Sequence, residues 1–568
     1  FWLKIFRAQV LPGASRLPNP AARMGQCNTS TAVKDEPVAS SGKHSTNNII
    51  LLTDSYKISH WKQYPKGTEI VYSYFESRGC VVPEWKEVTF FGLQYILKEY
   101  LVGQVVTKEK IEEAFDVCQH HFGAEFVAPG LTNPTNFFRE GWEYILEKHG
   151  GRLPISIKAI PEGMTVPLKT VLMTVENTDP KCYWLSNYLE TLLVQVWYPT
   201  TVCSQSREQK KSIGEWFTKT GCSLGKPPGG VSFQLNDFGF RGVSSVESAM
   251  TGGAAHLVNF IGSDTMIAMQ CARRYYNAGP GSFFECPSFS IPASEHSTIT
   301  SWGKDGELDA MRNMLTSYPE GLVACVSDSF DIYNACENYW GKELKELIKN
   351  RPPPAGRLVV RPDSGDPPKI VLEVCQILLK AFAEDVTTTS TGHKLLPPYI
   401  RVIQGDGVDH VTIPKILKNL ADNKIAAENC VFGSGGALLQ KLHRDTFKCA
   451  FKCSEITVNG KPSPVFKDPI TDPGKASKKG RLTLQKASET KMSDADKYKS
   501  SKDSGVAGGK GAYHVYGDYV TVAEGKGDPS KDLLVEVFRN GELLKDWTFD
   551  EVRLKADLPN GPFISSKA

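Results

Sequence analysis

Residues 358–382 read LVVRPDSGDPPKIVLEVCQILLKAF, which is a short apolar run, a polar turn with one glycine, and an amphipathic segment. This succession predicts a β-strand, a turn and an α-helix. The same succession recurs in residues 323–340, 402–420 and 431–442. Strand, turn and helix repeated along a chain are typical of a parallel sheet or barrel, so the sequence predicts the α/β class.

The barrel is expected in the middle of the chain. The rhythm is regular from about residue 230 onward, and we assign residues 191–449 to an α/β barrel. Residues 48–190 and 450–568 lack the rhythm and are predicted to combine into a second, α+β domain. In a barrel, ligands bind where strands end and helices begin, because N–H groups and helix dipoles point there. The functional residues are therefore expected in the turns.

Two stretches are expected to add no packed core. Residues 1–47 contain no acidic residue before Asp35, which predicts a leader-like or disordered extension. Residues 24–29 (MGQCNT) match the N-myristoylation pattern if translation starts at Met24, which makes Gly25 a candidate lipid anchor site. Residues 488–511 are rich in Lys, Ser, Asp and Gly and are predicted to be a low-complexity insertion in the second domain.

The composition excludes several classes of protein. The chain has 568 residues, of which 40% are hydrophobic and 23% charged, as in ordinary globular proteins. Its net charge of +3 gives no chain-wide basic field, so we expect no nucleic-acid partner. The 14 cysteines are scattered without CxxC pairs and are expected to be reduced thiols. No apolar run reaches the roughly 18 residues of a membrane helix, so no transmembrane segment is expected.

Glycine-rich turns predict a phosphate-binding site. Residues 432–436 (FGSGG) place glycines at a strand-to-helix turn, where backbone N–H groups can approach a phosphate closely. Such a sequence is often only a tight turn, but a second glycine turn and an arginine lie nearby. The candidate residues are Gly405, Asp406, Gly435, Gly436 and Arg444.

Two further turns combine an arginine with another functional group. Arg361 and Asp363 follow a predicted strand, so the guanidinium can hold phosphate oxygens while the carboxylate holds a ribose hydroxyl or magnesium. An exposed ion pair or an Asp-capped turn is the structural alternative. Phe238 and Arg241 place an aromatic face beside a cation, which suits a flat ring next to a phosphate. Taken alone, Phe238 would more often be a core residue.

His296 is the candidate nucleophile. It lies in the polar stretch ASEHST, beside Glu295, and among the 11 histidines only this one is expected in a strand-to-helix turn with an adjacent acid. The alternative is a structural histidine with satisfied hydrogen bonds.

These motifs resemble those of the nicotinamide phosphoribosyltransferases, a family of type II phosphoribosyltransferases. The resemblance runs from about residue 48 to about residue 558 and includes residues 53–57 (TDSYK), 72–76 (YSYFE) and 176–180 (ENTDP). It implies an irregular α/β barrel with a second domain, and a homodimer with active sites at the subunit interface. The implied reaction joins nicotinamide to 5-phosphoribosyl 1-pyrophosphate, giving nicotinamide mononucleotide and pyrophosphate in NAD salvage.

The resemblance also implies roles for individual residues. The pyridine ring is expected between Phe238 and Tyr56 of the partner subunit, and its carboxamide is expected to donate to Asp264, whose carboxylate would repel nicotinate. Catalytic roles are implied for Glu295, His296, Asp328 and Asp363. Substrate-binding positions are implied for Asp54, Tyr56, Phe238, Arg241, Asp264, Arg361, Arg401, Gly405, Asp406, Gly435, Gly436, Arg444, Lys452 and Lys475.

Mg²⁺ is the implied cofactor and would neutralise the pyrophosphate, and we predict no direct side-chain ligand for it. ATP is the implied coupled substrate, because the family's histidine that matches His296 is phosphorylated by ATP. The sequence departs from the family's pattern at its N-terminal extension, at the insertion 488–511, and at Ala450, where a serine is usual. The last difference puts the efficiency of ATP coupling in doubt.

Two other functions stay open. A nicotinate phosphoribosyltransferase would share the fold and the donor but bind the acid form of the base, which Asp264 disfavours. A secreted, cytokine-like binding protein is the second alternative, and the sequence has neither a signal-peptide pattern nor a disulfide framework to support it. We expect a cytoplasmic protein, associated with membranes only if Gly25 is myristoylated.

Overall fold

The structure is a computed structural model that describes residues 47–122, 136–225, 230–352, 356–471, 476–493, 496 and 511–559. The predicted extension before Asn47, with the acylation candidate Gly25, lies outside the described residues. Lys475 and most of the predicted insertion 488–511 lie outside them too. Among the described helices, none is both long and apolar enough to cross a membrane.

A six-stranded parallel sheet forms the centre of the described structure. Its strands follow one another across the sheet in the order Gly262–Ser263, Leu235–Asp237, Cys430–Ser434, Ile400–Gln404, Arg357–Arg361 and Leu322–Val326. Every neighbouring pair is parallel, for example Val402 opposite Cys430 and Ile400 opposite Leu358. Because all six strands point the same way, all their carboxyl ends meet at one edge of the sheet.

The sheet curls until an irregular segment links its two outer strands. The N–H of Ser263 donates to the Phe289 carbonyl at 3.1 Å, and the N–H of Ser294 donates to the Ala324 carbonyl at 3.0 Å. Residues 289–294 thus bridge the first and last strands, and isolated parallel bridges join the same positions. The predicted α/β barrel is confirmed, and its irregularity lies in this segment, which replaces regular strands.

The barrel interior is small and apolar. Ala324, Val359 and Ile403 are buried inside it, with Phe238, Ile291 and Val431 packed against them. Alternate residues of the same strands, such as Val360 and Val402, pack outward against helices. The helices of this part are Trp197–Lys219, Val246–Leu257, Met266–Tyr276, His296–Thr300, Glu307–Ser317, Ile332–Asn334, Ala335–Glu343, Lys345–Lys349, Pro367–Ala381, Thr412–Asp422 and Gly436–Leu439.

A seven-stranded antiparallel sheet joins the two ends of the described chain. Its order is Lys461–Pro464, Cys449–Val458, Thr68–Ser77, Val171–Asn177, Ile155–Ala159, Val535–Arg539 and Glu542–Leu543. Smaller antiparallel sheets are formed by Thr483–Lys486, Tyr519–Val522 and Tyr513–Tyr516, by Glu87–Thr89 and Thr165–Pro167, and by Thr387–Thr388 and Lys394–Leu395. The longer helices outside the barrel are Lys108–His121, Arg139–His149 and Phe549–Ala556.

The largest hydrophobic core connects the antiparallel sheet to the barrel. It contains sheet residues such as Phe75 and Met173 together with residues of helices Val246–Leu257 and Met266–Tyr276. Those two helices flank the first barrel strands in the sequence. This core therefore supports the loops that connect the first barrel strands to these two helices. The exact limits of the two domains stay a prediction.

One predicted helix is shorter than expected. The sequence places the helical segment after the last barrel strand at residues 438–442, but the helix is Gly436–Leu439, so it begins earlier and ends earlier than predicted. The Tyr198 hydroxyl donates to the Leu439 carbonyl at 2.9 Å, and the Gln205 amide donates to the carbonyls of Ala437 and Leu438. Side chains of a neighbouring helix thus take the carbonyls that a longer helix would have used, and they fix the glycine turn in place.

A buried ion pair ties the C-terminal region to the barrel. Lys210 and Asp557 are both fully buried and 2.7 Å apart. Replacing Asp557 with alanine is expected to lower the free energy of unfolding by about 3–5 kcal/mol, because it removes the negative charge that balances a buried ammonium. Urea denaturation measures this. The exposed pair of Lys418 and Asp422 is the control, and Asp422→Ala should change stability by less than about 1 kcal/mol. Equal effects would contradict the account.

Candidate active site

Phe238 lies at the carboxyl end of the barrel, directly after the strand Leu235–Asp237. Its N–H donates to the Ser434 carbonyl at 2.9 Å, which ties it to the neighbouring strand. Its ring lies against Gly433, where a Cβ atom would be 2.0 Å from the nearest ring carbon. Only glycine allows this close approach, so the sequence at Gly433 holds the half-buried ring of Phe238 at the mouth of the barrel.

The glycine turn and the Arg241 turn approach each other closely. A Cβ atom on Gly242 would lie 3.1 Å from both the nitrogen and the Cα of Gly436. Gly436 begins a short helix, and the first N–H groups of a helix have no acceptor within it. Gly435, Gly436 and Ala437 line the adjacent cavity. The turn is therefore suited to bind an anion through its backbone.

A cavity of about 490 Å³ occupies this edge of the barrel. It brings together glycine turns, two arginines and several carboxylates from four different strand ends. Its lining includes Phe238, Arg241, Gly242, Arg361, Asp363, Gly405, Asp406, Gly407, Val408, Asp409, Gly435, Gly436, Ala437 and Lys441. Most of the turn residues that the sequence analysis selected lie together here.

A second cavity of about 690 Å³ adjoins the first. The two share Phe238, Arg241 and Arg361, and the second adds Asp264 and Thr265. The Asp264 carboxylate is exposed and accepts a hydrogen bond from the Ser290 hydroxyl. The aromatic ring therefore lies between an anion-binding end, with glycines and arginines, and an end that presents a carboxylate.

Arg361 has a donor that the described residues leave unsatisfied. Its Nη2 lies 3.2 Å from Asp363 Oδ2, while its buried Nε has no hydrogen-bond partner among the described residues. An unsatisfied buried guanidinium donor is unfavourable by about 1–3 kcal/mol. Because Arg361 also lines the cavity, its guanidinium can meet an anionic ligand there.

His296 reaches the cavity through a chain of hydrogen bonds. It does not line the cavity, but its Nε2 lies 3.0 Å from Asp328 Oδ1. The second oxygen of Asp328 accepts from the Asp363 N–H at 3.0 Å and from the Ser364 hydroxyl. Although burial alone would raise the pKa of Asp328, hydrogen bonds from Ser364, His296 and Asp363 hold that pKa below its ordinary value. Asp328 is thus an anion that orients the imidazole.

Glu295 has a local structural contact. Its carboxylate accepts a hydrogen bond from the Ser297 hydroxyl, and its N–H donates to the Thr298 hydroxyl, at the start of helix His296–Thr300. Glu295 therefore caps the helix that carries His296. Its predicted catalytic role stays a prediction.

The structure does not bring Arg401 to the cavity. Its guanidinium donates to the carbonyls of Leu396, Pro397 and Ile400 at 2.7 to 3.0 Å, and lies 3.4 Å from Glu428. These partners surround the amino end of the Ile400–Gln404 strand, whereas the cavity lies beyond its carboxyl end. Burial lowers the pKa of Arg401 to about 10. Because the Arg401 guanidinium donates to backbone carbonyls at the amino end of the strand, its side chain lies away from the predicted ligand.

Four other predicted ligands lie outside both cavities within this chain. The Asp54 carboxylate accepts from the Thr191 hydroxyl at 2.8 Å, and Tyr56 is 58% exposed and packs edge-on against His60. Arg444 is exposed, and Lys452 donates to the Phe451 carbonyl at 2.6 Å, while burial lowers the pKa of Lys452. The fifth, Lys475, is outside the described residues.

The cavities contain residues that the sequence analysis missed. Lys441 and Asp409 line the first cavity, and their charged groups are 3.7 Å apart. Thr265 and the exposed Phe240 line the second. Lys441 follows the glycine turn by one short helix, and Asp409 ends the Gly405 turn. The sequence could therefore have indicated Lys441 and Asp409 through their closeness to these two turns.

Two family models match most of the chain. Residues 233–542 match the nicotinate phosphoribosyltransferase (NAPRTase) family, and residues 48–157 match the nicotinamide phosphoribosyltransferase N-terminal domain. The first match contains the whole parallel sheet, because that sheet extends from Leu235 to Ser434. The second contains the Asp54 and Tyr56 segment.

Curated relatives match over nearly the whole of their own length. A nicotinamide phosphoribosyltransferase of Xanthomonas campestris pv. campestris (strain 8004) is 44% identical over 516 residues, which cover 90% of this chain and 99% of the relative. A nicotinamide phosphoribosyltransferase of Acinetobacter baylyi (strain ATCC 33305 / BD413 / ADP1) is 31% identical over 528 residues, which cover 88% of this chain and 95% of the relative.

A solved structure confirms the fold. The crystal structure of nicotinate-nucleotide pyrophosphorylase from Pyrococcus furiosus superposes with a TM-score of 0.51 at 15% sequence identity, covering 91% of this chain and 97% of that one. At this identity the similarity concerns the fold alone. The predicted fold of the type II phosphoribosyltransferases, an α/β barrel with additional structure, is therefore confirmed.

Replacing Gly433 with alanine tests whether this close contact positions Phe238. The added methyl group would overlap the ring, so we expect a crystal structure to show the ring displaced and the free energy of unfolding to fall by about 1–3 kcal/mol. Gly214→Ala is the matched control, because its new Cβ would make only an ordinary contact with Leu224 within a helix. An undisturbed ring in the Gly433 variant would contradict the role given to this glycine.

Proposed function

Because this chain belongs to the nicotinamide phosphoribosyltransferase family, we propose that it joins nicotinamide to 5-phosphoribosyl 1-pyrophosphate. The products are nicotinamide mononucleotide, for NAD salvage, and pyrophosphate. Membership of the family makes the chain a pentosyltransferase, and the choice of base and the ATP coupling are the proposed part. The observation that carries the proposal is the convergence of Arg241, Arg361, Phe238 and Asp264 on two adjoining cavities.

Nicotinamide fits the end of the site with the carboxylate. Phe238 offers one face for the pyridine ring, since aromatic rings stack with offset faces. Asp264 offers a carboxylate in the same cavity, which can accept a hydrogen bond from a carboxamide NH₂. The same charge would repel the carboxylate of nicotinate, so attraction and repulsion favour the amide together.

The phosphoribosyl donor fits the other end. The N–H groups at Gly435 and Gly436 suit the 5′-phosphate, and the guanidinium groups of Arg241 and Arg361 suit the pyrophosphate. Asp363 and Asp406 line the same cavity and can accept hydrogen bonds from the ribose hydroxyls. The donor would therefore extend from the glycine turn to the arginines, with C1′ near Phe238.

The proposed reaction is a substitution at C1′ of the ribose. The bond from C1′ to the pyrophosphate oxygen breaks and leaves both electrons with pyrophosphate, while the pyridine nitrogen forms the new bond with its lone pair. Positive charge on the sugar develops before the new bond is complete, so preorganised cations on the leaving group and carboxylates near the sugar lower the barrier. Arg241 and Arg361 have the first role, and Asp363 the second.

Mg²⁺ fits the same end of the site. The cavity holds the carboxylates of Asp363 and Asp406, and hard oxygen donors are the ligands that Mg²⁺ prefers, usually with substrate phosphates and water. These two residues would hold the ion through water. When bound, it would supply positive charge to the pyrophosphate.

ATP coupling would use His296. Its imidazole is 46% exposed and is oriented by Asp328, which suits attack of a ring nitrogen on the γ-phosphorus of ATP with release of ADP. Water would later hydrolyse the phosphohistidine to phosphate. Asp328 would stabilise the cationic imidazole in the first step. Ala450, which is buried on the strand of Lys452, is remote from this pair in sequence, and its effect on the coupling stays open.

A homodimer would complete the base site. Phe238 offers only one face within this chain, and Tyr56 lies outside both cavities with its ring 58% exposed. We propose that Tyr56 of the partner subunit covers the second face of the pyridine. The cytoplasmic location and the acylation of Gly25 stay predictions.

No comparison favours the cytokine-like alternative. The nicotinate alternative has one supporting observation, which is that the matching family model carries that substrate's name. The Asp264 carboxylate and the curated relatives, both named for nicotinamide, favour the amide.

The choice of base is tested by measuring product formation from 5-phosphoribosyl 1-pyrophosphate with each base. We expect nicotinamide to exceed nicotinate in kcat/KM by at least about tenfold, since this needs only about 1.4 kcal/mol and like charges about 4 Å apart near a protein surface repel by up to about 4 kcal/mol. Asp264→Ala should reduce this ratio. If the unmodified protein prefers nicotinate, the proposed function is wrong.

The role of His296 is tested by His296→Ala. ATP-stimulated product formation should fall by about 10²-fold or more, because the nucleophile is removed, while the variant stays folded. His120→Ala is the control, because that histidine is exposed and lines neither cavity. Unchanged ATP stimulation in the His296 variant would exclude the phosphohistidine, and loss of folding would support a structural histidine instead.

A further inference from the structure

Asp237 is a fully buried carboxylate next to Phe238 of the base site, and it lines neither cavity itself. It is the last residue of the strand Leu235–Asp237 and directly precedes Phe238. No ion pair to Asp237 occurs in the part of the chain that the structure describes. Since a buried carboxylate without a cation is costly to ionise, its presence at this position needs an explanation.

The residue joins the two loops that face the base. Asp237 Oδ1 accepts the Gly239 N–H at 2.7 Å, which fixes the turn that carries Phe238 and Arg241. Its Oδ2 lies 3.4 Å from the Ser263 hydroxyl, and its carbonyl accepts the Asp264 N–H at 2.9 Å. One residue thereby sets the position of Phe238 relative to Asp264.

The surrounding helices leave room for this carboxylate. A Cβ atom on Gly239 would lie 2.7 Å from the Leu439 side chain and 3.0 Å from Asp237 Oδ1, and one on Gly253 would lie 2.6 Å from the Ala268 Cβ and 3.1 Å from Oδ2. Gly253 is in the middle of helix Val246–Leu257, where glycine is unfavourable by about 1 kcal/mol relative to alanine. A side chain at Gly253 would therefore overlap Ala268 of the neighbouring helix first and would also crowd the Asp237 carboxylate.

Few charged groups face Asp237. Asp264 on the neighbouring loop and Tyr198 on helix Trp197–Lys219 interact with it electrostatically, and helix Val246–Leu257 approaches it with Gly253. Burial raises the pKa of Asp237 to about 6, and the charge of Asp264 adds to this, while hydrogen bonds from Gly239 and Ser263 oppose it. Near pH 7.5 the carboxylate is therefore mostly ionised, and below about pH 6 it is mostly neutral.

We propose that Asp237 is a positioning and specificity-determining residue, which joins the Phe238 and Asp264 loops and adds a second negative charge behind Asp264. The inference rests on the proposed function. Two carboxylates at one end of the base site repel the nicotinate anion more strongly than Asp264 alone.

The variant Asp237→Asn separates the charge from the geometry. The asparagine Oδ1 can still accept the Gly239 N–H, and its amide can donate to the Ser263 hydroxyl. We expect the ratio of kcat/KM for nicotinamide to that for nicotinate to fall about tenfold at pH 7.5. KM for 5-phosphoribosyl 1-pyrophosphate should stay within about twofold, because that ligand binds at the other cavity. A ratio equal to that of the unmodified protein would overturn the proposal.

The pH dependence gives a test that needs no variant. Between about pH 5.5 and 8, nicotinate stays an anion, whereas Asp237 titrates. In the unmodified protein the preference for nicotinamide should fall as the pH drops through about 6, because the second charge is lost on protonation. In Asp237→Asn this step should be absent. A preference that does not change through pH 6 in the unmodified protein would contradict the charge effect even if the variant fails to fold.

Ionisation of Asp237 has opposite effects on the base preference, which it increases, and on the stability of the fold, which it lowers. The pKa of Asp237 is raised, so the native state binds its proton more tightly than the unfolded state does, and the stability that this gives below the ordinary value of 3.8 is lost as the pH rises to about 6. Asp237→Asn should therefore have a Tm at pH 8 no lower than that of the unmodified protein. A lower Tm with an equal loss of kcat/KM for both bases would mean a purely structural role and would overturn the proposal.

Glu162→Gln is the matched control. Glu162 is also a buried carboxyl with a raised pKa, and it accepts the N–H groups of Gly92 and Gln94, outside the two cavities. Its substitution should leave the base preference and its pH step unchanged. If the unmodified protein itself prefers nicotinate, the proposed function fails. If it prefers nicotinamide and Asp237→Asn keeps the full preference, only the inference on Asp237 fails.

Discussion

The parallel direction of all six barrel strands is the constraint on which the site depends. Because residues 289–294 link the outer strands, the strand ends meet around one opening. The turns that follow residues 237, 361, 404 and 434 therefore converge, although they lie up to about 200 positions apart in the sequence. An anion-binding cavity arises at this opening because each turn contributes a glycine, an arginine or a carboxylate.

Close contacts at glycine residues fix the positions of the side chains and turns around the opening. Gly433 accommodates the Phe238 ring, and Gly242 lies directly against Gly436. Tyr198 and Gln205 hold the carbonyls that end the short helix after the glycine turn. Polar contacts behind these residues orient the groups that face a ligand. Asp328 orients His296, and Asp237 contacts the loops that carry Phe238 and Asp264. The residues that pack around the opening are therefore the same as, or adjacent to, those proposed to bind the ligand.

The sequence predicted the barrel because strand and helix periodicity is local, as in Leu358–Val360 followed by Ile370–Phe382, which became Arg357–Arg361 and Pro367–Ala381. It also located Arg361, Phe238 and Gly436, since turn residues follow strands directly. It could not locate Arg401, whose donors bind nearby carbonyls, nor Asp237, whose importance depends on tertiary contacts of Gly253 and Ser263. Pattern reveals which turn a residue occupies, and only packing reveals where its side chain points.

The most direct test is a crystal structure of the protein with nicotinamide mononucleotide. The account predicts the pyridine ring against Phe238, the carboxamide nitrogen within hydrogen-bond distance of Asp264, and the 5′-phosphate at the N–H groups of Gly435 and Gly436. A nucleotide bound instead in the separate cavity of about 590 Å³ beside Tyr95 and Glu247, with the barrel opening empty, would contradict it.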